Sequence, residues 1–183
     1  MEEQYKAKYV VNCQYPKASE LNAVLYNRVS ENLQFQIPGA GRGGPGGERT
    51  DWNLHKQNIK EIDDLISWVQ HILPDVSKKF ASKDDDNIHF GYDLNAFEIA
   101  ECWGIRYNKD EYGPVEHNHF PYTLTFVYYV RTPDGSTPVI IENETYAVNE
   151  GTCIFFISSL YHSLKRNDCD GRCAIVGNIL YRF

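Results

Sequence analysis

Two stretches in the first half of the chain carry apolar residues at helical spacing. In residues 57–81 the apolar side chains recur every three or four positions, which is the period of an amphipathic helix. Pro74 lies inside this stretch and marks the expected end of the helix or a kink. Residues 19–33 show the same period over a shorter length, with Ser19 as a candidate N-cap. The sequence therefore predicts two helices in its first half.

A glycine-rich segment separates these two helices. Residues 37–50 (IPGAGRGGPGGERT) contain six glycines and two prolines, a composition that argues against regular structure and predicts a flexible loop or linker. A phosphate-binding loop is not expected, because no GK[ST] sequence is present and no strand leads directly into the glycines. A mobile flap near a substrate is the remaining alternative.

From residue 88 onward the pattern changes to short runs of β-branched and aromatic residues, separated by turns rich in Pro, Gly, Asp and Asn. The runs are residues 97–107, 123–130, 137–143, 151–158 and 173–183. Short strands at this spacing are typical of a sandwich, barrel or jelly roll. We therefore predict one α+β domain, mainly β, over residues 1–183. It comprises an N-terminal segment (1–50), a helical support (51–87) and a β core (88–183).

Composition and charge limit the functions open to this domain. The chain carries a net charge of −7, with 42% hydrophobic and 14% aromatic residues, so a folded globule is expected and a nucleic-acid surface is not. No long apolar run and no secretory pattern is seen, so neither a membrane span nor a signal peptide is expected. The five cysteines are scattered, and reduced thiols in a cytoplasmic protein are the simplest expectation.

Three of the six histidines form the candidate metal site. His117 and His119 stand two positions apart in EHNHF, and side chains at i and i+2 of a strand point to the same face. His162 follows the apolar run GTCIFFIS and is expected at the start of a strand or in the turn before it. Imidazole binds iron, zinc, copper and nickel, so these rings predict a metal site. The remaining histidines are interpreted as having no part in it: His55, His71 and His89.

Arg172 is the second candidate functional residue. It follows His162 by ten positions and begins the apolar run CAIVGNIL. An arginine that points into a barrel needs an anionic partner, and a dicarboxylate would accept bidentate hydrogen bonds from its guanidinium. The alternative is a surface arginine paired with Asp168 or Asp170.

Several segments together resemble the 2-oxoglutarate/Fe(II) dioxygenases, particularly the prolyl-4-hydroxylase-like branch and the 2-oxoglutarate oxygenases of phages and marine bacteria. They are WGIRYNKDEYGPVEHNHF, TLTFVYYV, NEGTCIFFISSLYHSL and GRCAIVGN, preceded by TDW before the long helix. The family order is an HxD or HxH, a tyrosine-bearing strand, a glycine and strand before the distal histidine, and then an arginine or lysine. The resemblance implies a double-stranded β-helix (jelly roll, cupin-like) with the N-terminal helices packed on one sheet.

The resemblance also implies a ligand set, and this chain departs from the family at one ligand. His117 and His162 match the two family histidines, whereas His119 occupies the position usually held by an aspartate. The usual triad has two histidines and one carboxylate, so three neutral imidazoles leave an Fe(II) site one charge more positive. Glu116 is adjacent but would face the other way on a regular strand. The substitution leaves open a different metal or a loss of activity.

Three further residues match the family's co-substrate site. Arg172 matches the residue that pairs with the distal carboxylate of 2-oxoglutarate, and Tyr129 and Tyr107 match tyrosines near the same molecule. The implied reaction uses Fe(II), 2-oxoglutarate and dioxygen to hydroxylate an unidentified substrate, either a peptidyl side chain such as proline or a small molecule. A phage-encoded protein would act in the host cytoplasm, and a homodimer stays open.

Two alternatives remain at this point. A cupin-type metalloenzyme that does not use 2-oxoglutarate also carries an HxH and a later histidine after a turn such as VNEG. A non-catalytic β-helix protein that binds a ligand or has a structural role is favoured by the missing aspartate. The spacing of Arg172 from His162 favours the oxygenase.

Overall fold

The computed structural model describes residues 10–39, 45–80 and 96–182, which form two α-helices, one short 3-10 helix (Leu54–Lys56) and two antiparallel sheets. The elements are β1 (Val10–Gln14), α1 (Ala18–Glu31), β2 (Phe35–Pro38), β3 (Pro45–Arg49), α2 (Lys60–Phe80), β4 (Phe97–Tyr107), β5 (Leu124–Arg131), β6 (Val139–Ile141), β7 (Glu144–Tyr146), β8 (Thr152–Ile157), β9 (His162–Leu164) and β10 (Arg172–Tyr181). The larger sheet has the strand order β1-β8-β5-β10-β4-β3-β2, and the smaller one has the order β7-β6-β9. The predicted mainly β jelly roll is confirmed.

The larger sheet separates two hydrophobic cores. Because side chains alternate between the faces of a strand, Tyr128 and Ile175 pack toward the helices while their neighbours Tyr129 and Ala174 belong to the second core, with the smaller sheet. Strand β10 is central and buried on both faces over most of its length, which explains its nearly continuous apolar sequence. The helices pack on one sheet, as predicted, and leave the other face for the site.

Helix α2 (Lys60–Phe80) forms where the apolar period predicts a helix. Of the two expectations for Pro74, the end of the helix is wrong, because the helix continues through Pro74 to Phe80, and the kink stays a prediction. A proline inside a helix removes one backbone hydrogen bond, and burial of the flanking residues Leu73 and Val76 offsets this loss. Helix α1 starts earlier than predicted. Its N-cap is Lys17, with no side-chain cap, so Ser19 lies inside the helix.

The N-terminal part of the chain contributes strands that the sequence analysis missed. Strands β1, β2 and β3 all belong to the larger sheet, although β-structure was expected only after residue 88. The prediction that residues 37–50 lack regular structure is wrong at both ends, because β2 pairs with β3 and β3 pairs with β4. A Cβ at Gly47 would lie 2.6 Å from the Tyr107 ring, so glycine permits this close approach. The flap alternative for residues 37–50 stays a prediction, and residues 40–44 of that segment lie outside the described residues.

Two further observations concern the cysteines and the helices. The five cysteines are free in the structure. Among the helices of the described ranges, none has the length and apolar character needed to cross a bilayer.

Candidate functional site

One face of the larger sheet provides most of the site. Alternate residues of β10 lie on this face: Arg172, Ala174, Val176 and Asn178. The antiparallel register pairs them, in that order, with residues of β4: Tyr107, Ile105, Trp103 and Glu101. This face is therefore polar at both ends and apolar in the middle. The six-residue step from Arg172 to Asn178 corresponds to about 20 Å along the strand backbone, so the two polar ends start far apart on the sheet.

The three candidate histidines converge above this face. His162 is the first residue of β9, as predicted, and it pairs with His117 through two backbone hydrogen bonds of 2.8 and 3.1 Å. His119 lies outside any strand, so the expectation that His117 and His119 share a strand face is wrong. Instead, the backbone N–H of His119 donates to the Ser158 carbonyl at 2.7 Å. The ligand atoms of the three rings lie within 4.8 Å of one another.

The other histidines and the nearby carboxylates do not join this group. His55 and His71 lie apart from the triad, and His89 lies outside the described residues. Over residues 10–39, 45–80 and 96–182, the candidate metal group contains no carboxylate. The triad therefore consists of imidazoles alone, with His119 present where the family pattern has an acid.

Backbone carbonyls set the tautomers of two of the candidate histidines. Nδ1 of His117 lies 2.8 Å from the Val115 carbonyl oxygen, and Nδ1 of His162 lies 3.3 Å from that of Leu160. A carbonyl can only accept, so each Nδ1 carries the proton and donates. The lone pair on each Nε2 is then free for a metal, an arrangement that metal-binding histidines commonly have.

His119 is held by a side-chain network instead. Its Nδ1 donates to Asn178 Oδ1 at 2.6 Å, and Asn178 Nδ2 donates to Glu101 Oε2 at 2.9 Å. Because a carboxylate accepts, Glu101 fixes the Asn178 amide with its oxygen toward His119. Thr125 Oγ1 also donates to Asn178 Oδ1 at 3.1 Å, and the Trp103 ring stacks on His119 with a 5.7 Å centroid separation. The triad itself has no carboxylate, but the Glu101 carboxylate is connected to His119 through Asn178.

Burial keeps the metal-free histidines neutral. Desolvation, with a hydrogen bond to Asn178 in opposition, lowers the pKa of His119 to about 4. Desolvation and the neighbouring His117 and His119 rings lower the pKa of His162 to about 3. Neutral imidazole is the form that binds a metal, so both rings are ready to do so at neutral pH.

Arg172 is buried without a partner. Its side chain is 2% exposed, its Nε has no hydrogen-bond partner, and it forms no ion pair with any residue the structure describes. The alternative of a surface arginine paired with Asp168 or Asp170 is therefore wrong. Its guanidinium carbon lies 5.5 Å from the Tyr107 ring centroid and 5.6 Å from that of Tyr129.

The two tyrosines beside Arg172 share this lack of partners. The hydroxyls of Tyr107 and Tyr129 are buried with no hydrogen-bond partner. Burial raises the pKa of both phenols, so they stay protonated and remain donors at neutral pH. Unsatisfied buried polar groups each cost about 1–3 kcal/mol. Three such donors near one another could hold an anion with several acceptor oxygens.

The imidazole triad and Arg172 line one cavity. Its volume is about 360 Å³, and Tyr107 and Tyr129 also line it. Apolar side chains connect the two polar ends: Ile105, Val127, Val139, Ala174 and Val176. No aspartate or glutamate is among the described residues that line this cavity. The donor set fits a divalent metal at one end and a carboxylate at the other.

Sequence reasoning missed two members of this site, Asn178 and Glu101. A signal for Asn178 was present, because it lies six positions after Arg172 and so shares its strand face. Glu101 had no comparable signal, since its contact with Asn178 depends on the register of β4 against β10.

No family model matches the sequence, and neither does any curated protein. Solved structures do match. A prolyl-4-hydroxylase from Pseudomonas putida has a TM-score of 0.67 at 13% identity, covering 96% of this chain and 94% of that one. The viral collagen prolyl hydroxylase of Paramecium bursaria Chlorella virus-1, in complex with 2-oxoglutarate, has a TM-score of 0.66 at 16% identity, with 96% and 97% covered.

A third structure carries a metal ion. HygX from Streptomyces hygroscopicus, with nickel and 2-oxoglutarate bound, has a TM-score of 0.62 at 11% identity and covers 96% of this chain and 84% of that one. The protein thus has the double-stranded β-helix fold of the 2-oxoglutarate/Fe(II) oxygenases, including the prolyl hydroxylases.

Proposed function

We propose that this protein is an Fe(II)- and 2-oxoglutarate-dependent oxygenase that hydroxylates a C–H bond of its substrate. The observation that carries the proposal is the presence, in one cavity, of three converging imidazoles and a buried arginine without a partner. A metal site alone would suit a cupin-type enzyme equally well. The anion site at Arg172 favours the oxygenase. Metal or 2-oxoglutarate bound to structures of the same fold supports this choice.

In this proposal His117, His119 and His162 hold the metal through their Nε2 atoms. Three protein ligands leave other coordination positions open, as a metal that binds co-substrate and dioxygen requires. Bound Fe(II) supplies the oxygen chemistry and the oxidative decarboxylation of 2-oxoglutarate to succinate. The protein supplies orientation, because backbone carbonyls and Asn178 fix the three rings.

Arg172, Tyr129 and Tyr107 bind the distal carboxylate of 2-oxoglutarate. The guanidinium and the two phenol hydroxyls donate to its oxygens, which satisfies three groups that are otherwise unpaired. The apolar walls between this end and the histidines keep water from the reacting centre.

Succinate release from 2-oxoglutarate tests this proposal. Purified protein with Fe(II) should release succinate slowly without a primary substrate, and His162→Ala should abolish both this release and tight metal binding. In Arg172→Gln the apparent KM for 2-oxoglutarate should rise at least about 30-fold, as expected when one partner of a buried charge pair is removed. The matched control is Arg131→Gln, an exposed arginine of the same sheet that does not line the cavity.

Two results would contradict the proposal and separate its alternatives. Iron-dependent turnover that does not need 2-oxoglutarate would support the cupin-type enzyme. Failure to bind Fe(II), Co(II), Ni(II) or Mn(II) would support the non-catalytic binding protein.

A further inference from the structure

A second arginine lines the same cavity, on strand β3. Arg49 is opposite Ile105 in the register of β3 and β4, and its guanidinium carbon lies 3.9 Å from the Trp52 ring centroid and 4.5 Å from that of Phe35. Trp52 packs edge-on against Trp103, with centroids 4.6 Å apart, and Trp103 in turn stacks on a candidate metal ligand. A continuous series of ring contacts thus connects Arg49 with the metal end of the cavity.

Arg49 forms no ion pair with any residue that the structure describes. Its Nη1 donates to the Thr50 carbonyl oxygen at 2.8 Å. The neighbouring Asp51 carboxylate attracts Arg49 electrostatically but forms no ion pair with it. Asp51 accepts hydrogen bonds from the backbone and side chain of Asn53, at 2.8 and 3.2 Å. The two aromatic rings hold the guanidinium in place, which reduces the entropy lost when a ligand binds.

The charges of the cavity leave a surplus when metal and co-substrate are bound. A divalent ion with Arg49 and Arg172 carries four positive charges, and the lining contributes no carboxylate. 2-Oxoglutarate supplies two negative charges. A cavity with the usual aspartate ligand and without Arg49 would instead be neutral. Glu101 offsets part of the surplus from behind Asn178, at the metal ligand and not at Arg49.

The walls beside Arg49 are aromatic and accessible. Trp52 lines the cavity and is 40% exposed, so its ring is accessible to a ligand. Phe35 is 42% exposed and contacts Arg49 from outside the lining of the cavity. A cationic substrate would be repelled by the positive surplus, whereas an anion would be attracted into it.

We propose that the primary substrate is a carboxylate with a flat apolar body, whose carboxylate pairs with Arg49 while its body packs on Trp52 and Trp103. This inference rests on the proposed function, since it assumes that Arg172 and the metal are occupied by co-substrate. It assigns separate anions to the two arginines: the co-substrate to Arg172 and the substrate to Arg49. It also gives strand β3 a role at the cavity, because β3 carries Arg49.

A matched pair of probes tests the proposal. Protein loaded with redox-inert Ni(II) and saturated with radiolabelled 2-oxoglutarate is titrated with 3-phenylpropionate and with 3-phenylpropanamide, which share a shape but differ in charge. Tryptophan fluorescence reports binding near Trp52 and Trp103. The wild type should bind the acid at least about tenfold more tightly than the amide, the factor of one charge-assisted pair. Arg49→Gln should remove this preference, and Arg49→Lys should keep part of it.

The outcomes separate this proposal from the one on which it rests. Failure of Ni(II) or 2-oxoglutarate to bind would contradict the proposed function itself. With both bound, three results would overturn the inference: equal affinity for acid and amide, a preference that persists in Arg49→Gln, or no binding of the acid at its solubility limit. Loss of radiolabel on addition of the acid would show that the acid occupies Arg172 instead, which also counts against it.

Discussion

Asn178 offers the sharpest test of how the site is built. In Asn178→Leu a side chain of similar size replaces the amide, so the hydrogen bond to His119 Nδ1 is lost while the β10 backbone is kept. His119 then has no acceptor that selects its Nδ1–H tautomer or holds its ring in position. Because His117 and His162 bond to backbone carbonyls, their geometry should not depend on this substitution.

The expected magnitude follows from two separate effects. Loss of a hydrogen-bond partner behind a metal ligand costs about 10–100-fold in metal affinity, or roughly 1.4–2.7 kcal/mol. Folding stability should also fall, because Asn178 is 3% exposed and its removal leaves Thr125 and Glu101 with fewer partners. This second effect is about 1–3 kcal/mol.

Thr125→Val separates the two effects. It removes the hydrogen bonds of Thr125 to Asn178 and Ser158, at 3.1 and 2.8 Å, but leaves the one between Asn178 and His119. Both variants should lose stability to urea, whereas only Asn178→Leu should lose Ni(II) affinity in a chelator-competition titration. Nitrogen NMR of the metal-free protein should show one His119 tautomer in the wild type and a mixture in Asn178→Leu. Equal Ni(II) affinity in the two variants would refute the reasoning.

Three further predictions concern the co-substrate pocket, acid stability and packing. Tyr129→Phe removes a buried hydroxyl that has no hydrogen-bond partner, so urea denaturation should show that the metal-free protein is about 1 kcal/mol more stable than the wild type. Calorimetry should show that the same variant binds 2-oxoglutarate about tenfold more weakly. A less stable variant would contradict this prediction. The unfolding free energy of the metal-free protein should decrease as pH falls from about 6.5 toward 4, because the unfolded chain takes up protons that His119 and His162, with lowered pKa values, do not. A urea series across pH should show a shallower slope for His162→Gln, and an equal slope would count against buried neutral rings. Gly104→Ala should cost about 1–3 kcal/mol, since a Cβ there would lie 2.6 Å from Val29 Cγ1; in a double-mutant cycle with Val29→Ala the two changes should be non-additive.

The period of the apolar residues was sufficient to predict the longest helix and the longest strands. Helix α2 and strands β4, β5, β8 and β10 coincide closely with the predicted runs, because each carries enough apolar residues at one period to identify the buried face. Strands β2 and β3 were missed because glycine and proline have low strand propensity. Pairing with β4, allowed by the small size of Gly47, overrides that propensity.

The residues of the candidate site were also only partly predictable from the sequence. The sequence by itself determined which residues have the functional groups: three imidazoles, and an arginine at the start of an apolar strand. Residue type and short-range spacing contain that information. The tertiary structure decided what surrounds them. Register between β10 and β4 places Glu101 behind Asn178, and the β3 pairing brings Arg49 to the cavity wall.

These contacts join residues far apart in the chain, and one sequence does not encode strand register in a locally readable form. A shift of one residue in β10 would turn both Arg172 and Asn178 away from the cavity while leaving the composition of every strand unchanged. The sequence therefore determined the donors, and only the packing of the two sheets decided which partners they meet.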